Sequence, residues 1–94
     1  MYGSQGKYMP IISSFYGMII RIYYSDHNPP HFHVQYAEQK AVIEIRTGKI
    51  LYGKLPNRLL KDLEIWRKKH LFELHLAWNK AQALLPPNKI EPLE

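Results

Sequence analysis

The strongest constraint on the fold is a change in the spacing of apolar residues at Pro56. Before this proline, apolar and polar side chains alternate over short segments, as expected for strands with one buried face. After it, apolar side chains recur at steps of three and four residues, which is the period of an amphipathic helix. Strands followed by helices predict an α+β domain, in which C-terminal helices cover one face of an antiparallel sheet.

Four segments before Pro56 have the composition of strands. They are rich in β-branched and aromatic residues and are separated by turn-forming residues, including a Thr47-Gly48 hairpin turn. We expect them to form a four-stranded antiparallel meander. The predicted strands are 18–24, 31–36, 41–46 and the weaker 49–54.

The apolar stripe changes direction around Lys69-His70-Leu71, which predicts either a bend in one helix or two helices, at roughly 57–69 and 71–84. Two helices should pack as a helical hairpin on one face of the sheet. Asn57 can cap the first helix, and Pro86-Pro87 ends the helical region because proline lacks the amide hydrogen. Core packing is the expected role of both tryptophans. The apolar stripes consist of Leu59, Leu60, Leu63 and Trp66 in the first helix and Leu71, Phe72, Leu74, Leu76, Trp78 and Ala81 in the second.

Length and composition indicate one small domain in a reducing compartment. The 94-residue chain has no cysteine, which excludes disulfides and thiolate metal sites and is compatible with the cytoplasm. No apolar run approaches the roughly 20 residues that cross a bilayer, so we expect no membrane association. Residues 1–8 are polar and precede a second methionine, Met9. We therefore predict a flexible leader at 1–8, a domain at 9–94 and a cytoplasmic location.

The net charge of +5 favours an anionic partner, either nucleic acid or an acidic protein. The charges are scattered along the chain, so an effect on solubility alone explains them equally well. The basic run Arg67-Lys68-Lys69 is interpreted as a solvated helix face.

The segment from Asp26 to His33, DHNPPHFH, holds three of the five histidines. His31 and His33 are two residues apart in a predicted strand, so their side chains should lie on one face. The alternate residues, including Phe32, should point into the core, which leaves the histidines facing solvent or a cleft. The two prolines stiffen the preceding loop and can hold Asp26 and His27 beside the strand.

Three functional hypotheses compete with a structural one at this cluster. The first is metal-independent RNA cleavage, in which His27, His31 and His33 supply acid and base, because imidazole titrates near neutrality. The phosphate would be neutralised by cationic side chains. Candidate binding residues around the histidines are Arg21, Lys49 and Lys54, together with Asp26, and Glu44 could orient an imidazole from the next strand.

The other hypotheses need no catalysis by histidine. A zinc ion could bind at His31 and His33 with His27 or Asp26, although the spacing alone is weakly specific and the sequence otherwise predicts no cofactor. The same face could bind RNA or another anion without chemistry. In the structural interpretation, the imidazoles hydrogen-bond the loop and cap the sheet edge.

The chain resembles a small bacterial family, the domain-of-unknown-function family 4160, over nearly everything from Met9 onward. The most specific match is DHNPPHFHV, from Asp26 to Val34. The other matching segments are MPIISSFYG from Met9, Ala41-Val42-Ile43, Thr47-Gly48, Gly53-Lys54-Leu55-Pro56, Trp66, His70, Trp78 and the closing Ile90-Glu91-Pro92-Leu93.

The resemblance implies little about activity, because the family has none established. Its genes often stand beside a gene for a second small protein of uncharacterised family 2442, and such pairs have been proposed as toxin–antitoxin modules. This implies a toxin-like component acting on RNA, with a small acidic protein partner from the adjacent gene. The alternative is a non-enzymatic module that binds nucleic acid or a regulatory protein partner.

Overall fold

The computed structural model describes residues 8–94, which form an antiparallel sheet followed by two helices. The strands lie in the order β1-β2-β3-β4-β5, so each pairs with its neighbour in sequence. This confirms the α+β class and the meander. The elements are β1 (Ile11–Phe15), β2 (Met18–Arg21), β3 (His31–Tyr36), β4 (Gln39–Glu44), β5 (Ile50–Gly53), α1 (Asn57–Lys69) and α2 (Leu71–Gln82).

The prediction of four strands is wrong, because the sheet has a fifth strand, β1, at its edge. This strand contains two adjacent serines and a register shift between Ile11 and Ser13. A bulge of this kind places consecutive residues on the same side and breaks the period of two on which strand prediction depends. Ile12 is nonetheless completely buried, and Ser13 beside it is buried too.

One face of the sheet and the two helices enclose the core. Cross-strand neighbours such as Ile20 and Val34, or Phe32 and Ile43, point to this face and are buried. Trp66 of α1 packs against Phe32, with ring centroids 5.9 Å apart. The predictions that Phe32 points inward and that Trp66 packs in the core are therefore confirmed.

The helices differ from the predicted hairpin. They are separated by His70 alone and make few contacts with each other, because one residue cannot reverse the chain so that the helices run side by side. Asn57 does not cap α1, since the helix begins at Asn57 and its cap position is Pro56, without a side-chain hydrogen bond. Phe72, predicted in the apolar stripe of α2, is 78% exposed.

Arg67 is buried, so the interpretation of residues 67–69 as a solvated face is wrong at its first position. Its Nη1 donates to the Ile45 carbonyl at 2.7 Å and to the Arg46 carbonyl at 3.1 Å. Its Nη2 donates to Glu64 Oε2 at 2.6 Å. The guanidinium thereby fastens α1 to the turn after β4. Lys68 and Lys69 are exposed.

Residues 1–7, most of the predicted leader, lie outside the described residues. Tyr8 accepts a hydrogen bond from the Tyr24 backbone N–H at 3.2 Å. At the other terminus, the Ile90 N–H donates to the Ile12 carbonyl at 2.7 Å, so the tail runs along β1.

Within 8–94, no helix has both the length and the apolar character needed to cross a membrane.

Candidate functional site: a histidine–aspartate cluster beside an open sheet face

The sheet face opposite the helices carries a mixed row of side chains. Strand register pairs Arg21 with His33, His33 with Val42, and Val42 with Tyr52, so these four residues form one row across β2 to β5. The neighbouring row pairs Ile19 with Gln35 and Gln35 with Lys40. Together the rows line a groove of about 520 Å³, to which Tyr23 also contributes.

A histidine–aspartate cluster lies where β3 begins. The ladder of β2 ends at Arg21, and a loop then carries the chain back to His31. Ser25 adopts a left-handed conformation (φ 55°) in the turn that precedes Asp26. Asp26 is buried, with a side chain 1% exposed, and its carboxylate lies against the ring nitrogens of three histidines, His27, His31 and His33.

Asp26 is the centre of the cluster. Its Oδ2 is 2.8 Å from His31 Nε2 and 3.2 Å from His33 Nε2. Its Oδ1 accepts the backbone N–H of His27 at 2.9 Å and lies 3.2 Å from His27 Nδ1. One carboxylate therefore holds the loop and both strand histidines together.

The prediction that His31 faces solvent is wrong. Its side chain is completely buried, because the Asp26 loop lies over the start of β3 and Trp78 of α2 contacts the ring, with centroids 5.1 Å apart. Its Nδ1 is 2.7 Å from the Pro29 carbonyl. A carbonyl can only accept, so Nδ1 carries a proton and Nε2 is directed at Asp26.

His33 keeps partial access to solvent, with a side chain 12% exposed. Its ring stacks on Tyr23, with centroids 3.7 Å apart and planes within 4°. His33 thus belongs both to the cluster and to the groove. The prediction that it lies on the face opposite the core is confirmed, because His33 lines the open groove while its neighbours Phe32 and Val34 lie in the core.

The cluster shifts two pKa values. Burial by itself would raise the pKa of Asp26, but hydrogen bonds from His33 and the His27 backbone, with the electrostatic effect of His31, lower it below its ordinary value. Burial lowers the pKa of His33, an effect that its hydrogen bond to Asp26 opposes and the nearby His31 reinforces. At neutral pH the cluster therefore combines an ionised carboxylate with a neutral His33.

The remaining predicted site residues are dispersed. Glu44 does lie beside His31 in the register, but its Oε1 accepts a hydrogen bond from Thr47 Oγ1 at 2.7 Å, so Asp26 takes the orienting place expected of Glu44. Lys49 and Lys54 are exposed and are not among the residues that line the groove. His27 is at the rim of the cluster, with a side chain 49% exposed.

Arg21 lines the groove, and one of its terminal nitrogens donates to the Met9 carbonyl at 2.8 Å. Its role as a binding residue stays a prediction. Sequence reasoning missed Tyr23, Lys40 and Tyr52. Strand register could have identified Lys40 and Tyr52, because it pairs Gln35 with Lys40 and Val42 with Tyr52. Finding Lys40 in this way requires β4 to begin at Gln39, two residues before its predicted start.

Fold and site define a class of protein: an α+β fold with a helix-covered meander and a histidine–aspartate cluster at one end of its third strand. The chain belongs to the family described as Domain of unknown function (DUF4160), whose model matches residues 17–79. The matched region contains the whole cluster and groove. Neither a curated protein nor a solved structure matches the chain.

Proposed function

We propose that this protein binds single-stranded RNA, in the cytoplasm, on the open face of its sheet. The observation that carries the proposal is the cross-strand row Arg21–His33–Val42–Tyr52, in which a cation, an imidazole, an apolar residue and an aromatic ring lie side by side. Single-stranded nucleic acids are bound by surfaces that combine aromatic rings for the bases with positive charge for the backbone.

The groove matches this chemistry in composition and size. Tyr52 is 65% exposed, so its ring is available for stacking on a base. Lys40 is exposed and Arg21 is half-buried, which leaves both near enough to solvent to meet phosphates. The groove volume of about 520 Å³ falls within the range of small-ligand sites, so it would hold a few nucleotides rather than a duplex.

Binding is favoured over cleavage by the burial of His31. Acid–base cleavage of a phosphodiester requires two imidazoles that both reach the reacting group. His31 is enclosed by Asp26 and Trp78, and neither His31 nor His27 is among the residues that line the groove, so His33 is the one imidazole of the cluster that lines it. A toxin-like protein with this surface would act through RNA recognition, and we assign the cluster a role in holding the groove.

The test is fluorescence anisotropy with a labelled single-stranded RNA of roughly a dozen nucleotides, a length within the site sizes of such modules. Lys40→Ala and Tyr52→Ala change exposed groove residues, and Lys61→Ala changes an exposed lysine on α1 as the control. We expect Tyr52→Ala to weaken binding at least about 5-fold, the lower end of one lost stacking contact. Affinity should also fall steeply with salt.

Equal weakening by Lys40→Ala and Lys61→Ala would show binding through net charge alone and would contradict the proposal. The small acidic protein partner that the family resemblance implies would compete with RNA for the groove. If an acidic peptide binds the same groove tightly while RNA does not, the surface is a protein-docking site and the RNA proposal is wrong.

A further inference from the structure

The buried cluster at the start of β3 has a feature that RNA binding does not use. Three potential ligand atoms, Asp26 Oδ2, His31 Nε2 and His33 Nε2, converge and lie within 4.8 Å of one another. They come from a loop and a strand, so the fold itself has brought them together. Two imidazoles aimed at a single carboxylate oxygen form a donor set of two nitrogens and one oxygen.

We propose that Asp26, His31 and His33 bind one divalent transition-metal ion of the zinc class. An ion with bonds of about 2.0–2.2 Å to nitrogen and oxygen places neighbouring ligand atoms about 3–3.5 Å apart. The two distances from Asp26 Oδ2 are 2.8 Å to His31 and 3.2 Å to His33, so small side-chain movements would admit the ion.

The surroundings of His31 provide a second, independent argument. A ligating histidine almost always donates its other ring N–H to a carbonyl or a carboxylate, which fixes the tautomer and the ring orientation. His31 Nδ1 makes this bond to the Pro29 carbonyl, and the burial of the ring against Trp78 leaves it little rotational freedom. Its Nε2 is thereby held in place at the point where the other two ligand atoms meet.

The donor set selects the class of ion. Imidazole nitrogen suits zinc, iron, nickel and copper, whereas calcium and magnesium prefer sites made of oxygen atoms. Three protein ligands leave at least one coordination position for water, as in sites that are not purely structural. The route to that position passes His33, the ligand with solvent access, beside the groove.

The experiment titrates zinc into the EDTA-treated and desalted full chain, using calorimetry for stoichiometry and affinity. Cobalt serves as a spectroscopic substitute, because its visible absorption bands report nitrogen and oxygen coordination. His33→Ala removes a ligand, Asp26→Asn replaces the carboxylate with a neutral and weaker oxygen ligand, and His75→Ala removes a histidine outside the cluster as the matched control. Circular dichroism checks that every variant folds.

We expect one ion per chain and a melting temperature that rises with zinc concentration, because an ion that binds the native state stabilises it by mass action. His33→Ala should weaken zinc at least about 10-fold, the loss seen when even an outer-shell partner of a ligand is removed. His75→Ala should bind as the wild type does.

Failure of the folded wild type to take up zinc in excess would overturn the proposal, and the cluster would then be a hydrogen-bonded one. The proposal would also be overturned if His33→Ala and Asp26→Asn left the zinc affinity unchanged, or if His75→Ala reduced it equally. If one of the two cluster variants fails to fold, the other still tests the proposal. The titration contains no RNA, so its outcome is independent of RNA binding.

Discussion

The start and the middle of β3 carry the same kind of residue in different environments. His31 and His33 are two positions apart on one face of the strand, yet His31 is completely buried and His33 lines an open groove. At the start of the strand, the Asp26 loop and Trp78 lie over the sheet. In the middle of the strand, the groove opens beside the stack of His33 on Tyr23. The exposure of a strand residue is therefore decided by what covers the sheet at that point.

The two regions are connected through one oxygen atom. Asp26 Oδ2 contacts His31 in the buried region and His33 at the groove. The cluster holds the His33 ring where it stacks on Tyr23, so a change in the cluster should alter the shape of the groove. Changes at Lys40 and Tyr52, which are exposed and line the groove from β4 and β5, should leave the cluster intact.

The largest expected effect is the loss of stability in His31→Ala. The substitution removes a buried ring that packs on Trp78, together with the donor to the Pro29 carbonyl and the shorter of the two imidazole contacts of Asp26 Oδ2. We expect it to lower the free energy of unfolding by about 2–4 kcal/mol, from the cavity and the lost hydrogen bonds together. Urea denaturation in EDTA measures this without a contribution from metal.

His33→Ala is the matched control for that measurement. His33 is partly exposed and has the longer contact with Asp26, so its removal should cost about 1 kcal/mol. Equal costs for the two alanine variants would contradict the division of β3 into a covered and an open region.

The buried hydrogen-bond network of Arg67 provides a comparison for the histidine–aspartate cluster. The Arg67 guanidinium donates hydrogen bonds to two backbone carbonyls and to Glu64, so we expect it to contribute to stability alone. Arg67→Met keeps much of the apolar length and should cost about 1–3 kcal/mol, because buried carbonyls lose their donors. The exposed neighbour Lys68→Met should change stability by less than about 0.5 kcal/mol. If thermal melts show equal losses of stability for Arg67→Met and Lys68→Met, Arg67 is not a structural anchor.

The smallest expected effect is a pH dependence at Glu64. Its hydrogen bonds with Arg67 lower the pKa of this carboxyl below the ordinary value of 4.5. A lowered folded-state pKa gives stability that is present above 4.5 and is lost as the pH falls through the folded value. The side chain is 38% exposed, so the contribution should stay below about 1 kcal/mol.

Glu64→Gln removes this dependence. The difference in the free energy of unfolding between the wild type and this variant should be present at pH 7 and should shrink under acid conditions. A difference that grows as the pH falls would contradict the assignment, because it would require a raised pKa.

The sequence predicts the parts of this fold that depend on local pattern. The alternation from His31 to Tyr36 and the spacing of Leu59, Leu63 and Trp66 identified β3 and α1 with bounds that the structure confirms. The junction between the helices at His70 was predicted as well. The prediction failed at β1, where a bulge breaks the alternation, and in the packing of the two helices against each other, which depends on tertiary contacts.

The site was predicted only in part for a similar reason. The spacing of His31 and His33 indicated their common face, but not that Trp78, from a helix far along the chain, covers one of them. The central role of Asp26 could not be deduced either. It depends on a loop whose path is set by Ser25 and by hydrogen bonds across the loop, for which the sequence has no periodic signal.

RNA binding on the open face is tested most directly by a map of backbone amide NMR shifts during titration with single-stranded oligouridine. We expect shifts concentrated on the open face, at Ile19, Arg21, His33, Lys40 and Tyr52, with little change in the two helices. Shifts that concentrate instead on the exposed lysines of α1, or that are absent at saturating RNA, would contradict the claim that the open region of the sheet is the functional surface.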